Sequence, residues 1–434
     1  MAKIRVPLNN FQFGEVSPSL TSRTDTKVYT NAAEQVRNFF IRSEGGLKKR
    51  TGTKRLHNFA SSPAFTATTS LRQSVRIEPF IFSDDEKYII AFSNTRIEIF
   101  QIHPTTGAVA SVQSLTSQSW LVNTTSAPYL EEITFAQQGD LMFICHNTFQ
   151  TRILERTGLT SFAVSTFNFD TSRDDENIFQ PYFSFQPLGM TMSCNATTGT
   201  SKTLTASAAY FNTDSPSKHV GVDMLIGDTR CRITAVASST SATIDIAGTI
   251  RQQLEIDSIK VFEGSGTVLV TQALHGLATG ASVDIDRSGA VGGIAATNIN
   301  GTRTITAVPT ENTFEFTAGG SATATSSAIG GGSPRIASAA ATTEFSEMSY
   351  SPLRGYPAAV TFHQNRLWFG GTLAQPDGIW GSKSGLYFNF DIGDAEDNDA
   401  LDLTANVGEI FSIRHLISNR DLQIFTTGAE LFIP

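Results

Sequence analysis

Neighbouring carboxylates are the residues of this 434-residue chain whose spacing first suggests chemistry. Glycoside hydrolysis needs two carboxyl groups flanking the scissile bond, and adjacent acids occur at Asp84-Asp85-Glu86 and at Asp174-Asp175-Glu176. Both runs have a turn-like context, in which charged side chains keep a loop solvated. The pattern therefore favours two solvated turns over a hydrolase site, and we expect no enzymatic activity.

The densest acidic cluster is the segment DIGDAEDNDALDL at residues 391–403. A Ca²⁺ loop of the helix–loop–helix type needs a Gly at its sixth position and a Glu at its twelfth. Counted from Asp391, those positions hold Glu396 and Asp402. The sequence therefore predicts no metal or other cofactor here, and a loop that faces solvent or a channel. The acidic residues of the segment are Asp391, Asp394, Glu396, Asp397, Asp399 and Asp402.

Nucleophilic catalysis has no better support in the sequence. A Gly-x-Ser-x-Gly motif is absent, and Cys145 and His146 are neighbours on a predicted strand, where successive side chains point to opposite faces. Cys145, Cys194 and Cys231 are far apart, without the Cys-x-x-Cys spacing of zinc or redox sites. We expect three buried free thiols.

Composition and charge narrow the class of protein. The chain has 34 Gly and 31 Phe, which favours strands and turns, so we predict an all-β fold. A formal net charge of −8 argues against a protein that binds nucleic acid by neutralising phosphates. No run of about 18 apolar residues occurs, and residues 1–10 lack the apolar core of a signal peptide. We expect synthesis in a cytosol and no membrane insertion.

A pattern of three apolar strands separated by turns occurs four times. Ile90 and Phe143 lie 53 residues apart in the first two copies, and Leu367 and Leu422 lie 55 apart in the last two. Such spacing is typical of β-propeller blades, each a small antiparallel sheet packed on its neighbours. We therefore predict a β-propeller-like platform. The four copies are residues 77–102, 133–155, 359–380 and 413–433.

The region between the second and third copies reads as an insertion. Residues 190–250 and 268–317 predict two small β-barrel or β-sandwich domains, with Asn300-Gly301 as a hairpin turn. Residues 321–341, rich in Ala, Ser, Thr and Gly, read as a return linker. The predicted divisions are 1–60 (docking segment and hairpin), 61–187 (first blades), 188–262 and 263–340 (inserted domains), and 341–434 (return to the propeller).

Two blocks carry an ordered set of residues. The first spans residues 13–53, and the second begins at residue 355 and leads into the acidic segment. Together the blocks resemble the tail nozzle proteins of short-tailed bacteriophages, the tail tubular protein B family. The residues that carry the resemblance are Phe13, Gly14, Glu15, Ser17, Pro18, Asn38, Phe39, Gly45, Gly46 and Gly52 in the first block and Asn365, Arg366, Leu367, Asn389 and Phe390 in the second.

The resemblance implies a structural protein of the virion tail, synthesised in the bacterial cytoplasm. It implies a homohexameric ring that hangs below the tail adaptor protein, gathers tail fibres or spikes, and surrounds the channel through which phage DNA passes on ejection. The family is usually longer, and this sequence stops at Pro434 with the fourth repeat unfinished. We therefore expect either that the natural chain continues or that a neighbouring subunit completes the fold.

The one basic cluster lies in the first block, at Lys48, Lys49, Arg50, Lys54 and Arg55. Basic residues on a hairpin can meet an acidic rim of the adaptor, or can simply be solvated. Arg23 and Asp25 similarly read as a local pair or as a contact between subunits.

The alternative to a nozzle is a propeller-bearing phage tail protein that binds or cleaves glycans. The sequence leaves these alternatives open.

Overall fold

The computed structural model describes residues 10–20, 22–53, 55, 57, 75–124, 127–172, 177–273, 275–324, 328–393, 396–405 and 410–434. The chain divides into two compact units, Met1–Thr66 and Ala67–Pro434. The all-β prediction is confirmed, because the described residues form 32 strands and no α-helix longer than four residues. None of these helices is long and apolar enough to cross a membrane.

The N-terminal unit is built around one hairpin. A 3₁₀ turn (Pro18–Leu20) and a single helical turn, α1 (Lys27–Thr30), precede strands β1 (Phe39–Ile41) and β2 (Leu47–Lys49), which pair antiparallel. Gly45 has φ +90° in the connecting turn, where a Cβ atom would lie 2.4 Å from Oδ1 of Asn10. Glycine is therefore the residue that fits this turn.

The strands of the second unit fall into three regions. Before the insertion they are β3 (Arg76–Ile81), β4 (Lys87–Ser93), β5 (Arg96–Ile102), β6 (Val109–Leu115), β7 (Thr134–Gln138), β8 (Leu141–His146), β9 (Phe149–Gly158) and β10 (Ser161–Thr166), with α2 (Tyr129–Glu132) between β6 and β7. Inside it they are β11 (Tyr182–Phe183), β12 (Met192–Cys194), β13 (Gly199–Ala206), β14 (Asp223–Ile226), β15 (Thr229–Ser238), β16 (Ser241–Ile246), β17 (Arg251–Gln253), β18 (Ile259–Val261), β19 (Thr267–Thr271), β20 (Ser282–Asp286), β21 (Gly301–Thr310), β22 (Thr313–Thr317), β23 (Ala328–Gly330), β24 (Arg335–Ala337) and β25 (Phe345–Met348), with α3 (Ala296–Ile299) before β21. After it they are β26 (Ala359–His363), β27 (Arg366–Gly370), β28 (Gly378–Gly381), β29 (Leu401–Thr404), β30 (Ile413–Ser418), β31 (Leu422–Thr426) and β32 (Glu430–Ile433).

Four antiparallel sheets make a propeller-like arrangement, as the repeats predict. Strands β3–β6, β7–β10 and β26–β29 form three four-stranded sheets, and β30–β32 form a three-stranded one. Each predicted repeat corresponds to the first three strands of its sheet. Ile90 and Leu154 share the core between the first two sheets, whereas Phe143 and Phe369 share the next. Burial of these facing apolar surfaces holds the blades together.

The two inserted domains are nested, one inside the other. The first module is a seven-stranded sheet in the order β11-β25-β14-β15-β16-β13-β12, and the second is an eight-stranded sheet in the order β17-β24-β20-β21-β22-β19-β18-β23. Each has its own core, with Ile244 in the first and Phe316 in the second. Strand pairing thus departs from the divisions at residues 262 and 340, because β17 and β18 belong to the second module and β25 to the first.

Two local predictions in the insertion are wrong. Residues 321–341 contain β23 and β24, which complete the second module rather than link it to the blades. These strands have three residues each, too few for alternation to be visible against an Ala- and Gly-rich background. Asn300-Gly301 is not a hairpin turn, because Gly301 begins β21; Oδ1 of Asn300 instead accepts a bond from the backbone N of Ser288 at 2.9 Å.

The second module should be removable. The backbone N of Ser338 donates to the carbonyl of Ile250 at 3.2 Å, so the two ends of the module are adjacent. Replacing residues 251–337 by two glycines is expected to leave the first module and the blades folded, since neither core loses a residue. Circular dichroism and protease resistance measure this. Deleting residues 190–333 is the matched comparison, and it should unfold what remains of the first module because it removes β14, one of the two partner strands of β25, together with most of that module's core. Global unfolding of the shorter deletion would show that the modules fold as one.

Candidate docking surfaces

Six large apolar side chains are exposed among the described residues of the N-terminal unit. Among its described residues, Ala32 is the one buried apolar side chain. A two-stranded hairpin is marginally stable in water unless something packs on it, and contiguous exposed apolar surface marks interaction sites. The described part of this unit therefore has the surface composition of an interaction site. The exposed side chains are Phe13 (53%), Leu20 (42%), Tyr29 (43%), Phe39 (46%), Phe40 (59%) and Ile41 (43%).

Positive charge is concentrated in the same unit. Residues 1–66 hold 11 Lys and Arg against four Asp and Glu, a formal charge of +7, whereas the remainder holds 21 against 36, a charge of −15. On the hairpin Lys49 lies opposite Phe39, and Lys48 lies opposite Phe40. Lys48, Lys49, Arg50 and Arg55 are all exposed, and Lys54 lies outside the described residues. Each face of the hairpin thus combines an aromatic ring with a cation.

Arg23 and Asp25 pair with each other. Nε and Nη2 of Arg23 each donate to a carboxylate oxygen of Asp25 at 2.9 Å. Both side chains are more than half exposed, and the bond from Arg23 lowers the pKa of Asp25. The local pair, one of the two alternatives for these residues, is therefore present in the isolated chain.

The motif residues of the first block position the hairpin. Gly14 has φ +67°, and a Cβ atom there would lie 2.8 Å from Cδ1 of Ile41. Oε2 of Glu15 accepts a bond from the backbone N of Val36 at 3.0 Å, and the carbonyl of Asn38 accepts one from the backbone N of Arg50 at 2.8 Å. The remaining motif residues are Ser17 and Pro18, exposed at the 3₁₀ turn, and Gly46 and Gly52, which have open space where a Cβ atom would stand.

A second surface is the acidic loop, residues 391–403, which one buried guanidinium anchors. Arg366 on β27 is 7% exposed. It donates to the backbone carbonyls of Ser382 at 2.7 Å, Asp397 at 2.5 Å and Asp399 at 2.5 Å. A planar guanidinium can satisfy several acceptors with fixed geometry. The backbone of the loop at residues 397–399 is therefore fixed from inside the blade.

The other motif residues of the second block support the same loop. Gln364 and Asn365 form a two-residue turn with positive φ at both positions, which suits Asn. Leu367 is fully buried in the blade core. The ring of Phe390 stacks on Phe369 at 5.5 Å. Oδ1 of Asn389 accepts a bond from the backbone N of Asp391 at 3.0 Å, so the motif leads directly into the acidic loop.

Only some of the loop carboxylates are compensated. Nζ of Lys383 lies 3.3 Å from Asp391 and 2.9 Å from Asp399, and these contacts raise the pKa of Lys383. Glu396 and Asp397 are exposed and face no cation among the described residues. The loop thus presents these two carboxylates to solvent. Asp402 lies on the exposed strand β29, Asp394 lies outside the described residues, and Ile392 (59%), Leu401 (37%) and Leu403 (36%) are exposed apolar neighbours.

The adjacent carboxylates that suggested glycoside hydrolysis form ion pairs where they are described. Glu86 of the first blade pairs with Arg156 of the second blade, so this ion pair joins the two sheets. Arg156 also bonds Asp140 of its own blade at 2.9 Å. Asp84 lies 3.6 Å from Lys87. Asp174-Asp175-Glu176 lie outside the described residues. Among the described residues, no three His, Cys, Asp or Glu side chains are grouped to hold a metal ion.

The three cysteines are free thiols, and two of them are buried as expected. Burial raises the pKa of Cys145 and of Cys231 to about 12, which removes the thiolate needed for nucleophilic attack. Cys194 is only half-buried, contrary to expectation. Cys145 packs in the core shared by the second and third blades, whereas His146 stacks on Phe149, so the two side chains do face opposite ways.

A cavity of about 430 Å³ lies among the second blade, the third blade and the first module. Phe169 and Tyr356 contribute aromatic walls, and Asp223 is the one carboxylate among the described residues that line it. Burial raises the pKa of Asp223. The cavity has the size of a small-ligand site. The described lining does not supply the second carboxylate that glycoside hydrolysis needs.

A buried ionic network holds β25 in the first module. Glu347 is fully buried, and its carboxylate accepts from Tyr210 at 2.7 Å and from Arg354 at 2.7 and 3.1 Å. Nε2 of His219 lies 3.6 Å away. Burial alone would disfavour the charged form, but the interactions with His219, Arg354 and Tyr210 outweigh it and lower the pKa of Glu347. This network is structural.

Sequence reasoning missed the network, although a signal was present. Phe345 and Glu347 lie on one face of β25, Ser349 follows the strand in the same alternation, and all three are buried. A charged residue in phase with a buried Phe on a strand indicates a buried ion pair.

The chain has a distant structural likeness to a solved structure and no match in sequence families. Neither the protein-family models nor the curated proteins contain a match. Among solved structures, a likeness is found to the phage phi92 endosialidase, at 10% identity and a TM-score of 0.19, covering 83% of this chain and 44% of that one. The chain therefore spans less than half of that protein's length. A similarity this low bears on neither activity nor substrate.

Proposed function

We propose that the chain is a structural subunit of a phage tail, specifically of the nozzle of a short-tailed phage. Six copies form a ring below the adaptor protein, tail fibres or spikes gather around it, and DNA passes through it on ejection. The subunit carries out no catalysis and needs no cofactor. Its site of action is the virion tail, after synthesis in the bacterial cytoplasm.

The observation that carries the proposal is the form of the N-terminal unit. The residues of the first resemblance block, from Phe13 to Gly52, build a hairpin unit with a single buried apolar side chain among its described residues. Such a unit gains stability only when another surface covers it. Neighbouring subunits of a permanent assembly can supply that surface.

The charge of the chain supports a role next to DNA without binding it. Six copies carry a formal charge of −48. Like charge keeps a DNA molecule from adhering to the wall of a channel. A protein that gripped DNA would instead concentrate Lys and Arg where the phosphates pass.

Native mass spectrometry of tails purified from particles tests the ring. We expect a complex of six copies, the number that the resemblance implies, held by a repeated contact between different surfaces of one chain whose rotation closes into a ring. A stable monomer or a trimer in these tails would overturn the proposal, since trimers are the form of spikes.

A further inference from the structure

The basic hairpin (residues 39–50) and the acidic loop (residues 391–403) are complementary to each other. We propose that the basic hairpin of one copy docks on the acidic loop of a neighbouring copy. The proposal rests on the proposed ring for its setting, and it names the contact that joins the copies. From the sequence, the expected partner of the basic hairpin is an acidic rim of the adaptor. In this proposal the partner is instead an acidic surface on another copy of the chain.

Charge is the first part of the complementarity. Lys48, Lys49 and Arg50 are exposed on the hairpin, and Glu396 and Asp397 are exposed on the loop without a described cation beside them. The same division extends to the whole units, at +7 and −15. Opposite fields of this size steer association and fix its orientation.

Apolar surface is the second part. Phe39 and Phe40 lie beside the cations of the hairpin, and Ile392, Leu401 and Leu403 lie beside the carboxylates of the loop. Each surface therefore has an apolar centre and charged neighbours, which is the composition of a protein interface.

Open strand edges are the third part. Among the described strands, β29 is the last of its sheet, and the two strands of the hairpin pair with each other only. An unpaired edge exposes backbone N–H and C=O groups, and addition of a strand from another chain satisfies them. Residues 401–403 read Leu-Asp-Leu and residues 47–49 read Leu-Lys-Lys, so pairing of these edges would oppose unlike charges.

Contacts within the blade also fix part of the acidic loop before any partner binds. Arg366 fixes the backbone at Asp397 and Asp399, and Lys383 fixes the side chains of Asp391 and Asp399. Residues whose backbone and side chains are already fixed lose little entropy on binding. Glu396 and Asp397, which Arg366 and Lys383 leave uncompensated, are the carboxylates available to another chain.

A charge swap in the full chain tests the contact. Self-association is measured by sedimentation at low and moderate salt. Lys48→Glu, Lys49→Glu and Arg50→Glu together should weaken it at least tenfold, and so should Glu396→Lys with Asp397→Lys. Combining all five substitutions should restore most of the affinity, because the charges are again opposite. Salt should weaken the association of both the wild type and the five-fold variant.

A matched control changes the same charge elsewhere. Lys218, Arg414 and Arg420 are exposed on the second unit, and their reversal to Glu should leave self-association within about twofold. Thermal melting of each variant should match the wild type, since no substituted side chain is buried.

Three results would overturn the proposal: a monomeric wild type, hairpin reversal without effect, or failure of the five-fold variant to recover. Loss of adaptor binding with unchanged self-association would assign the hairpin to the adaptor instead. A charge-dependent ring of some number other than six would keep the contact and reject the nozzle. A hexamer whose stability does not change with the charge swap would reject the contact and keep the nozzle.

Discussion

Replacing Glu347 with alanine is expected to destabilise the first module by about 3–5 kcal/mol, because it leaves buried cationic and polar groups without their shared acceptor. Arg354 and Tyr210 both donate to this carboxylate, and β25, which carries it, joins β11 to β14. The module should therefore lose protection before the blades do. Hydrogen exchange of the full chain, followed by mass spectrometry of peptides, measures the two regions separately.

The control for this prediction is an exposed pair. Asp25→Ala breaks an ion pair whose partners are both largely solvated, so it should leave the stability close to that of the wild type. Because the pKa of Glu347 is lowered from 4.5, its contribution should be complete at neutral pH and be lost as the pH falls below about 4.5. Equal effects of the two substitutions would contradict the role of the network.

The propeller-like sheets could be predicted because their signal is periodic. Ile90, Phe143, Leu367 and Leu422, the positions whose spacing indicates the repeat, all lie on the second strand of their sheets and are all fully buried. A repeated unit that must pack the same face on its neighbours repeats its apolar residues. The register of the repeat is therefore contained in the sequence.

The nesting of the inserted modules could not be read in the same way. Strand β25 returns to the first module after the whole second module has intervened. Such pairing depends on contacts between distant residues, and a strand of four residues does not specify its partner. The divisions at residues 262 and 340 followed composition, which changes gradually here.

The two charged segments could be recognised in the sequence, whereas their role as an interface stays a prediction. The basic hairpin was recognisable from Lys48 and Lys49 after a Gly-Gly turn, and the acidic loop from its density of carboxylates. The anchor of that loop was not recognisable. The acceptors of Arg366 lie 16, 31 and 33 residues further along the chain, and no local pattern links a strand residue to carbonyls so far away.

Replacing Arg366 with methionine is expected to release the acidic loop at a cost of about 3–5 kcal/mol. Methionine fills much of the same volume, so packing changes little, but the carbonyls of Ser382, Asp397 and Asp399 lose their donor. A buried acceptor without a partner costs about 1–3 kcal/mol, and partial access of water to the released loop reduces the sum. Limited proteolysis should cut within residues 391–403 well before any other described site, and self-association should weaken with it.

Arg366→Lys separates the charge from the geometry. Lysine keeps a cation in the blade, but its compact ammonium group cannot serve three carbonyls in the arrangement that the guanidinium does. We expect an intermediate rate of cleavage and an intermediate melting temperature. Glu396→Gln with Asp397→Gln is the complementary variant, because it removes the exposed charges and leaves the anchor: its loop should resist protease like the wild type while self-association weakens. Wild-type protease resistance of Arg366→Met would show that the loop is held by its own contacts, with Lys383 sufficient to fix it.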